Sequence, residues 1–161
     1  MAYHKVFEIR WSDLDPNRHL ANARYTDLAT HTRFSFLNEL GFGQKEFAKY
    51  QFGPVIFGEQ IQYFKEIHFG EKLSIDFEMV NCSAQGFFYE FRHGFYKENG
   101  DEAARLVLYG SWMNLLSRKL ERPHQDLFEL FERVPKAPEF EMKNLSYFKS
   151  KMAKPNQKIF V

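Results

Sequence analysis

Tyr3 to Tyr25 read YHKVFEIRWSDLDPNRHLANARY, and the change of period inside this stretch decides the fold. Tyr3, Lys5, Phe7, Ile9 and Trp11 share one parity, opposite His4, Glu8 and Arg10 (with Val6). That is the period-two pattern of a strand with one buried face. The pattern stops at Ser12-Asp13-Leu14-Asp15-Pro16-Asn17, rich in turn formers, where Pro16 biases Asp15 toward an extended backbone. From Ala23 the period is helical: Tyr25, Leu28, Ala29, Phe36, Leu37 and Leu40 fall on one stripe, with Thr32 bridging the gap. Asn22 stands where an N-cap would and Gly41 where a C′ residue would. The spacing predicts a helix over 23–40, roughly 27 Å long at 1.5 Å per residue.

Downstream, after a loop and a short helix near 43–50, the period-two pattern returns four times. Val55, Phe57, Ile61 and Tyr63 share a parity, as do Leu73, Ile75, Phe77 and Met79. Phe87, Tyr89, Phe91 and Phe95 form a third set, and Leu106, Leu108, Trp112 and Leu116 a fourth. Asn99-Gly100 is a hairpin signal between the last two. The order strand, long helix, four strands in a meander predicts an α+β domain, with a mainly antiparallel sheet whose apolar face the helix covers. His124 to Arg133 reads as a short amphipathic helix closing a domain over 1–134. Residues 135–161, with Pro135, Pro138, Pro155 and many lysines, read as an extension. Phe140, Met142, Tyr147, Phe148 and Phe160 would pin it to the domain or to a partner subunit.

Composition narrows the function classes. The 161 residues suffice for one core without disulfides, and 19 phenylalanines favour a β-rich domain around an apolar core or pocket. Lys plus Arg number 22 against 21 for Asp plus Glu, which gives no electrostatic reason to expect nucleic acid or a membrane surface as partner. The single cysteine, Cys82, points to a reducing compartment, and the opening residues lack the pattern of a signal peptide. A cytoplasmic protein is the expectation.

The segment Arg10-Trp11-Ser12-Asp13-Leu14-Asp15-Pro16-Asn17-Arg18-His19-Leu20-Ala21-Asn22-Ala23-Arg24-Tyr25 resembles the opening signature of the 4-hydroxybenzoyl-coenzyme A thioesterase family. In that signature an aromatic ends the first strand, and D-x-D is followed by a loop often containing Gly-His. An Asn or His stands seven residues after the second Asp, and a Tyr three further on. The element order over about 3–120 also looks like the hot-dog fold, in which a sheet wraps a central helix. The resemblance implies homodimers joined sheet edge to sheet edge, often paired into homotetramers, with active sites at the subunit boundary. It implies hydrolysis of acyl-coenzyme A or acyl-carrier-protein thioesters with neither metal nor other cofactor. The catalytic carboxylate falls on Asp15, and the polarising amides fall at the start of the long helix, at Asn22 and Ala23, with Tyr25 and His19 as further substrate-site residues. Three features depart from the family pattern: Arg18 stands where Gly is common, Ala21 where a first Asn often stands, and the lysine-rich extension has no counterpart.

The chemistry of the residues agrees with that reading. A carboxylate can attack a thioester directly or act as general base toward water. A helix N-terminus offers unpaired amides and the positive end of the helix dipole, and such donors contribute about 3–4 kcal/mol to the chemical step. Asp13 reads as an organiser of the loop and His19 as a loop-stabilising hydrogen-bonding residue. Glu59 shares the parity of Val55, Phe57, Ile61 and Tyr63; a carboxylate on an apolar strand face needs a partner or a cleft, which makes it a candidate for the substrate cavity. His93 reads as a satisfied core histidine, and the histidines show no zinc-ligand spacing. Lys65, Arg92, Lys97 and Arg118 are candidate contacts for coenzyme A phosphates. The rival readings are a catalytically silent acyl-coenzyme A-binding or scaffolding hot-dog protein, and a dehydratase or hydratase, which the D-x-D placement disfavours.

Overall fold

The long helix α1 runs from Asn22 to Glu39, one residue from its predicted bounds at either end. Tyr25, Ala29, Thr32 and Phe36 are its buried stripe at steps of four, three and four residues, with Leu37 beside them. Gly41 sits in the left-handed region at φ 84, its N–H donating to the Asn38 carbonyl while that of Phe42 donates to Leu37. These two bonds form the Schellman closure for which glycine at C′ is suited. The computed structural model describes residues 3–152; Lys154, Pro155, Lys158 and Phe160 of the predicted extension lie outside them.

Around α1 the other elements are β1 (Tyr3–Glu8), α2 (Gln44–Tyr50), β2 (Phe52–Tyr63), β3 (Lys72–Cys82), β4 (Phe88–Lys97), β5 (Glu102–Asn114), α3 (Gln125–Glu132), β6 (Lys136–Met142) and α4 (Leu145–Met152). One sheet has the order β1-β3-β4-β5-β2, all antiparallel, with β6 added in parallel to the C-terminal half of β3. The α+β class and the sheet wrapped on a central helix, the hot-dog arrangement, are as expected. Phe77 of β3 meets α1 at Phe36, ring centroids 5.1 Å apart, and Phe95 of β4 meets Tyr25 at 5.3 Å.

Four local expectations are corrected. The meander holds only for β3-β4-β5, because β2 leaves the hairpin path and pairs with β5 at the far edge. Residues 64–71 link β2 to β3 as a crossing loop stitched across the sheet end: Phe64 and Lys65 N–H donate to the Ala103 carbonyl, and Ile67 is fully buried. Second, Val55 and Phe57 do not share a face with Ile61 and Tyr63. A bulge lies between Ile56 and Gly58, and a one-residue insertion reverses the faces beyond it. Third, Trp11 is 79% exposed, since the strand ends at Glu8 and Trp11 opens a 3-10 turn. Fourth, Leu116 lies beyond the end of β5 and is exposed.

The C-terminal segment is tied to the domain's own sheet. Phe148 of α4 is fully buried and stacks on Phe88 at 5.4 Å. Glu90 of β4 accepts hydrogen bonds from Asn81 Nδ2 at 2.7 Å, the Tyr147 hydroxyl at 2.9 Å and Lys151 Nζ at 2.5 Å. Burial alone would raise the Glu90 carboxyl, but Lys151, Asn81 and Tyr147 together hold it below its ordinary value.

Candidate functional site

Asp15 is presented by a closed five-residue loop. Leu14 and Leu20 form an antiparallel bridge, Asp15 N–H donates to the His19 carbonyl at 2.9 Å, and Arg18 N–H returns to the Asp15 carbonyl at 2.9 Å. Within that loop Asp15 Oδ1 accepts from the backbone N–H groups of Asn17 at 2.9 Å and His19 at 3.2 Å. This Asx-type closure locks the side chain. Oδ2 takes no protein hydrogen bond among the described residues and the residue is half-buried, so one carboxylate oxygen stays available. Arg18 has φ 68, the left-handed backbone that glycine adopts freely. This is a physical reason for the family's glycine at that position.

Asp13 anchors the strand side of the junction. It is 4% exposed; its Oδ2 accepts from Arg10 N–H at 2.9 Å and Arg10 Nε at 3.1 Å, and its Oδ1 from Arg10 Nη2 at 3.0 Å. The Arg10 guanidinium, against the opposing effect of burial, holds the Asp13 carboxyl below the usual carboxylate range. A depressed carboxyl stabilises the fold above its unfolded pKa near 4, and that contribution disappears as pH falls through the lower folded value. Asp13→Ala is therefore expected to lower the melting temperature at pH 7 and to erase part of the acid-side loss seen in the wild type. Parallel melts from pH 7 to pH 2.5 check this, and identical wild-type and variant slopes would contradict the assignment.

The loop delivers Asp15 to the start of α1. The N-cap residue is Ala21, not Asn22, with φ −61 and ψ 140 and no side-chain cap. Ala21 has extended backbone, so Asn22 is the first helical residue, and the Ala21 N–H donates to the Asp13 carbonyl at 2.9 Å. No side chain among the described residues caps the first-turn N–H groups of Asn22 and Ala23, and both residues are exposed. Tyr25, one turn on, is buried against Tyr63 and Phe95 at 5.0 and 5.3 Å. Burial, then the neighbouring Tyr63 and Asp15, push its hydroxyl up to about 12.

Two residues here were not anticipated, Glu66 and His68. The Leu20 N–H donates to the Ile67 carbonyl at 2.8 Å, welding the crossing loop to the Asp15 loop. His19 Nε2 then lies 3.3 Å from Glu66 Oε1, and His68 Nε2 3.5 Å from Glu66 Oε2. His19, Glu66 and His68 place their ligand atoms within 4.8 Å of one another, the one such group among the described residues that could hold a metal ion. Spacing along the chain gave no signal, because the histidines sit on separate loops.

Asp15, His19, Asn22, Ala23 and Tyr25 thus meet at one loop-to-helix junction. Glu59 does not join them: it is exposed on β2, opposite Leu108, with no hydrogen bond or ion pair among the described residues. Three of the four cations named for phosphate contacts are engaged elsewhere, Lys65 with Asp101, Arg92 with Glu78 and Lys97 with Glu71. A cavity of about 820 Å³ lies between the C-terminal half of α1 and the sheet, and none of the junction residues lines it. It is bounded also by α2 and the start of β2. No helix among the described residues is long and apolar enough to cross a membrane.

Comparison with known proteins agrees with this architecture. A search of the curated proteins finds no match to the chain. Among solved structures, a hypothetical protein of Staphylococcus aureus in complex with CoA superposes with a TM-score of 0.77 at 14% identity, covering 85% of this chain and 88% of that one. The DHNA-CoA thioesterase of Staphylococcus aureus gives 0.74 at 16% identity, over 82% of this chain and 89% of that one. The probable thioesterase YbaW of Escherichia coli gives 0.70 at 19% identity, over 83% and 99%. At such identities the likeness is one of fold. A family model carries further, because it matches residues 9–145, which hold the Asp15 loop, the long helix and strands β2 to β5 of the sheet: the chain belongs to the thioesterase-like superfamily.

Proposed function

We propose that this protein hydrolyses acyl thioesters of coenzyme A, or of an acyl carrier protein, to free acid and thiol, with Asp15 as nucleophile or general base. The observation that carries the proposal is the free Oδ2 of a loop-locked carboxylate at the uncapped N-terminus of α1. The thioester carbonyl oxygen lies on the Asn22 and Ala23 amides, where the helix dipole favours the developing oxyanion. Asp15 either takes a proton from water as the water oxygen adds to the carbonyl carbon, or adds to that carbon itself. The C–S bond then breaks and the thiolate leaves. In the second case water cleaves the resulting anhydride and restores the carboxylate. A thiolate is a stable leaving group, so the mechanism needs neither a metal nor a strong general acid. Solved structures of the same fold include one in complex with CoA and one of a DHNA-CoA thioesterase, which supports a coenzyme A thioester as substrate. Thiol release from short, long and aromatic acyl-coenzyme A substrates is the test, and its outcome in an Asp15 variant is argued in the Discussion.

The reading includes a homodimer, with a homotetramer as its further pairing. Strand β2 is 12 residues long, pairs among the described residues only with β5, and exposes Phe57 and Tyr63 along an open edge. A long open edge of this kind is a template for a second strand, and a lysine on it discourages pairing. A second copy on this edge brings cover to a junction that one chain leaves open. Sedimentation velocity is expected to show a dimer or larger, and Phe57→Lys to raise the dissociation constant by roughly tenfold or more. A wild-type chain that sediments as a monomer at micromolar concentration would remove this part of the reading.

A further inference from the structure

The cavity of about 820 Å³ is walled by aromatic rings, among them Phe36, Phe47, Phe52, Phe91 and Trp112, and contains one permanently charged side chain, Arg33. Among the described residues no Asp, Glu or Lys lines it. Its volume falls in the range of roughly 300–1,000 Å³ typical of small-molecule sites.

Among the described residues Arg33 has only neutral hydrogen-bond partners. Its Nη1 lies 2.8 Å from His93 Nε2, and its Nη2 donates to Thr30 Oγ1 at 2.9 Å. His93 Nδ1 lies 2.7 Å from the Asp76 carbonyl, which can only accept, so Nδ1 carries the proton and Nε2 the lone pair that receives Arg33. His93 is fully buried, and burial together with the Arg33 charge keeps it neutral, well below its ordinary value. Glu59 and Tyr89 stand near enough to favour the guanidinium, yet no carboxylate lies within ion-pair distance of Arg33 among the described residues. Burial lowers Arg33 to about 10, which leaves it charged at neutral pH. Of the five guanidinium N–H donors two are used, and no buried polar side-chain atom in the described chain lacks a partner. The remaining three, the Nε–H and one N–H on each terminal nitrogen, make no hydrogen bond among the described residues, and the unpartnered Nε is not sealed from solvent.

A charge beside apolar walls is costly without a counter-charge, and a guanidinium fork matches a carboxylate in geometry. We propose that this cavity binds a long-chain monocarboxylate, its apolar tail along the aromatic wall and its carboxylate on the free N–H groups of Arg33. A single fixed charge beside a neutral histidine suits a monoanion, and the apolar wall suits an alkyl tail. The site does not depend on the hydrolytic reading, since Asp15 and the helix start contribute nothing to its wall. Should hydrolysis hold as well, the ligand belongs to the class of its product.

Calorimetric titration with dodecanoate and with 1-dodecanol, each below its micellar concentration, tests the proposal on the wild-type chain and on Asp15→Asn. One dodecanoate per chain is expected, bound roughly tenfold to hundredfold more tightly than the alcohol, with Asp15→Asn unchanged. Arg33→Met is expected to remove the preference for the acid while retaining the alcohol. Equal affinities for acid and alcohol in the wild type, or no saturable binding of either, would overturn the proposal even if Arg33→Met failed to fold. Loss of thiol release in Asp15→Asn with dodecanoate binding intact separates the two sites.

Discussion

Asp15→Asn is expected to lower kcat for thiol release by roughly 10²–10⁴-fold, the range over which positioned general bases act, with KM changed far less. The substitution is nearly isosteric, and the amide oxygen can still accept from the Asn17 and His19 N–H groups that close the loop. The loop therefore stays, while the charge and the basic lone pair at Oδ2 go. Steady-state rates on the best substrate of the acyl panel, with melting temperature as the control for folding, measure this. Activity that survives at the wild-type rate would move catalysis off Asp15. Absence of turnover in the wild type on every coenzyme A substrate would point to a carrier-protein substrate or to a binding role.

Asn22→Pro removes one amide from the start of α1 with little strain. Ala21 before it already has φ −61 and ψ 140, the extended backbone that a residue preceding proline prefers. Asn22 is the first helical position, where proline is favoured and the lost N–H has no intrahelical partner. If that N–H holds the oxyanion, kcat falls by roughly 10²–10³-fold, the cost of deleting one oxyanion donor. Asn22→Ala is the control for the side chain. Because Asn22 caps nothing in the structure, this variant is expected to keep both its melting temperature and its rate within a few-fold of wild type. A proline variant as active as the alanine variant would place the oxyanion elsewhere.

These tests meet at a junction whose parts differ in how they arise. The helix over Asn22–Glu39, the glycine that ends it, the Asn99-Gly100 turn and the loop that carries Asp15 were all legible in the sequence. Each follows from backbone geometry within a few residues: a period of 3.6 or 2, a positive φ, a proline biasing its neighbour. His93 could likewise be read as a satisfied buried histidine, since a polar group among Phe91 and Phe95 must find a partner.

Its partner could not be read. Arg33 lies 60 residues away, and only the packing of α1 on the sheet sets the guanidinium against a neutral imidazole and leaves it without a carboxylate. The same holds for Glu66 and His68, which reach His19 because a crossing loop shares backbone hydrogen bonds with the Asp15 loop. Strand neighbours belong to this class too, since alternation tells which face is buried but not which strand lies alongside, and β2 chose β5. The bulge at Phe57 shows the sharpest limit, because one unpaired residue leaves the apolar alternation intact on paper and reverses the faces in space. Local periodicity determined the elements and the Asp15 loop of this protein. Contacts between distant segments decided the strand order, the uncompensated charge of Arg33 and the chamber it lines.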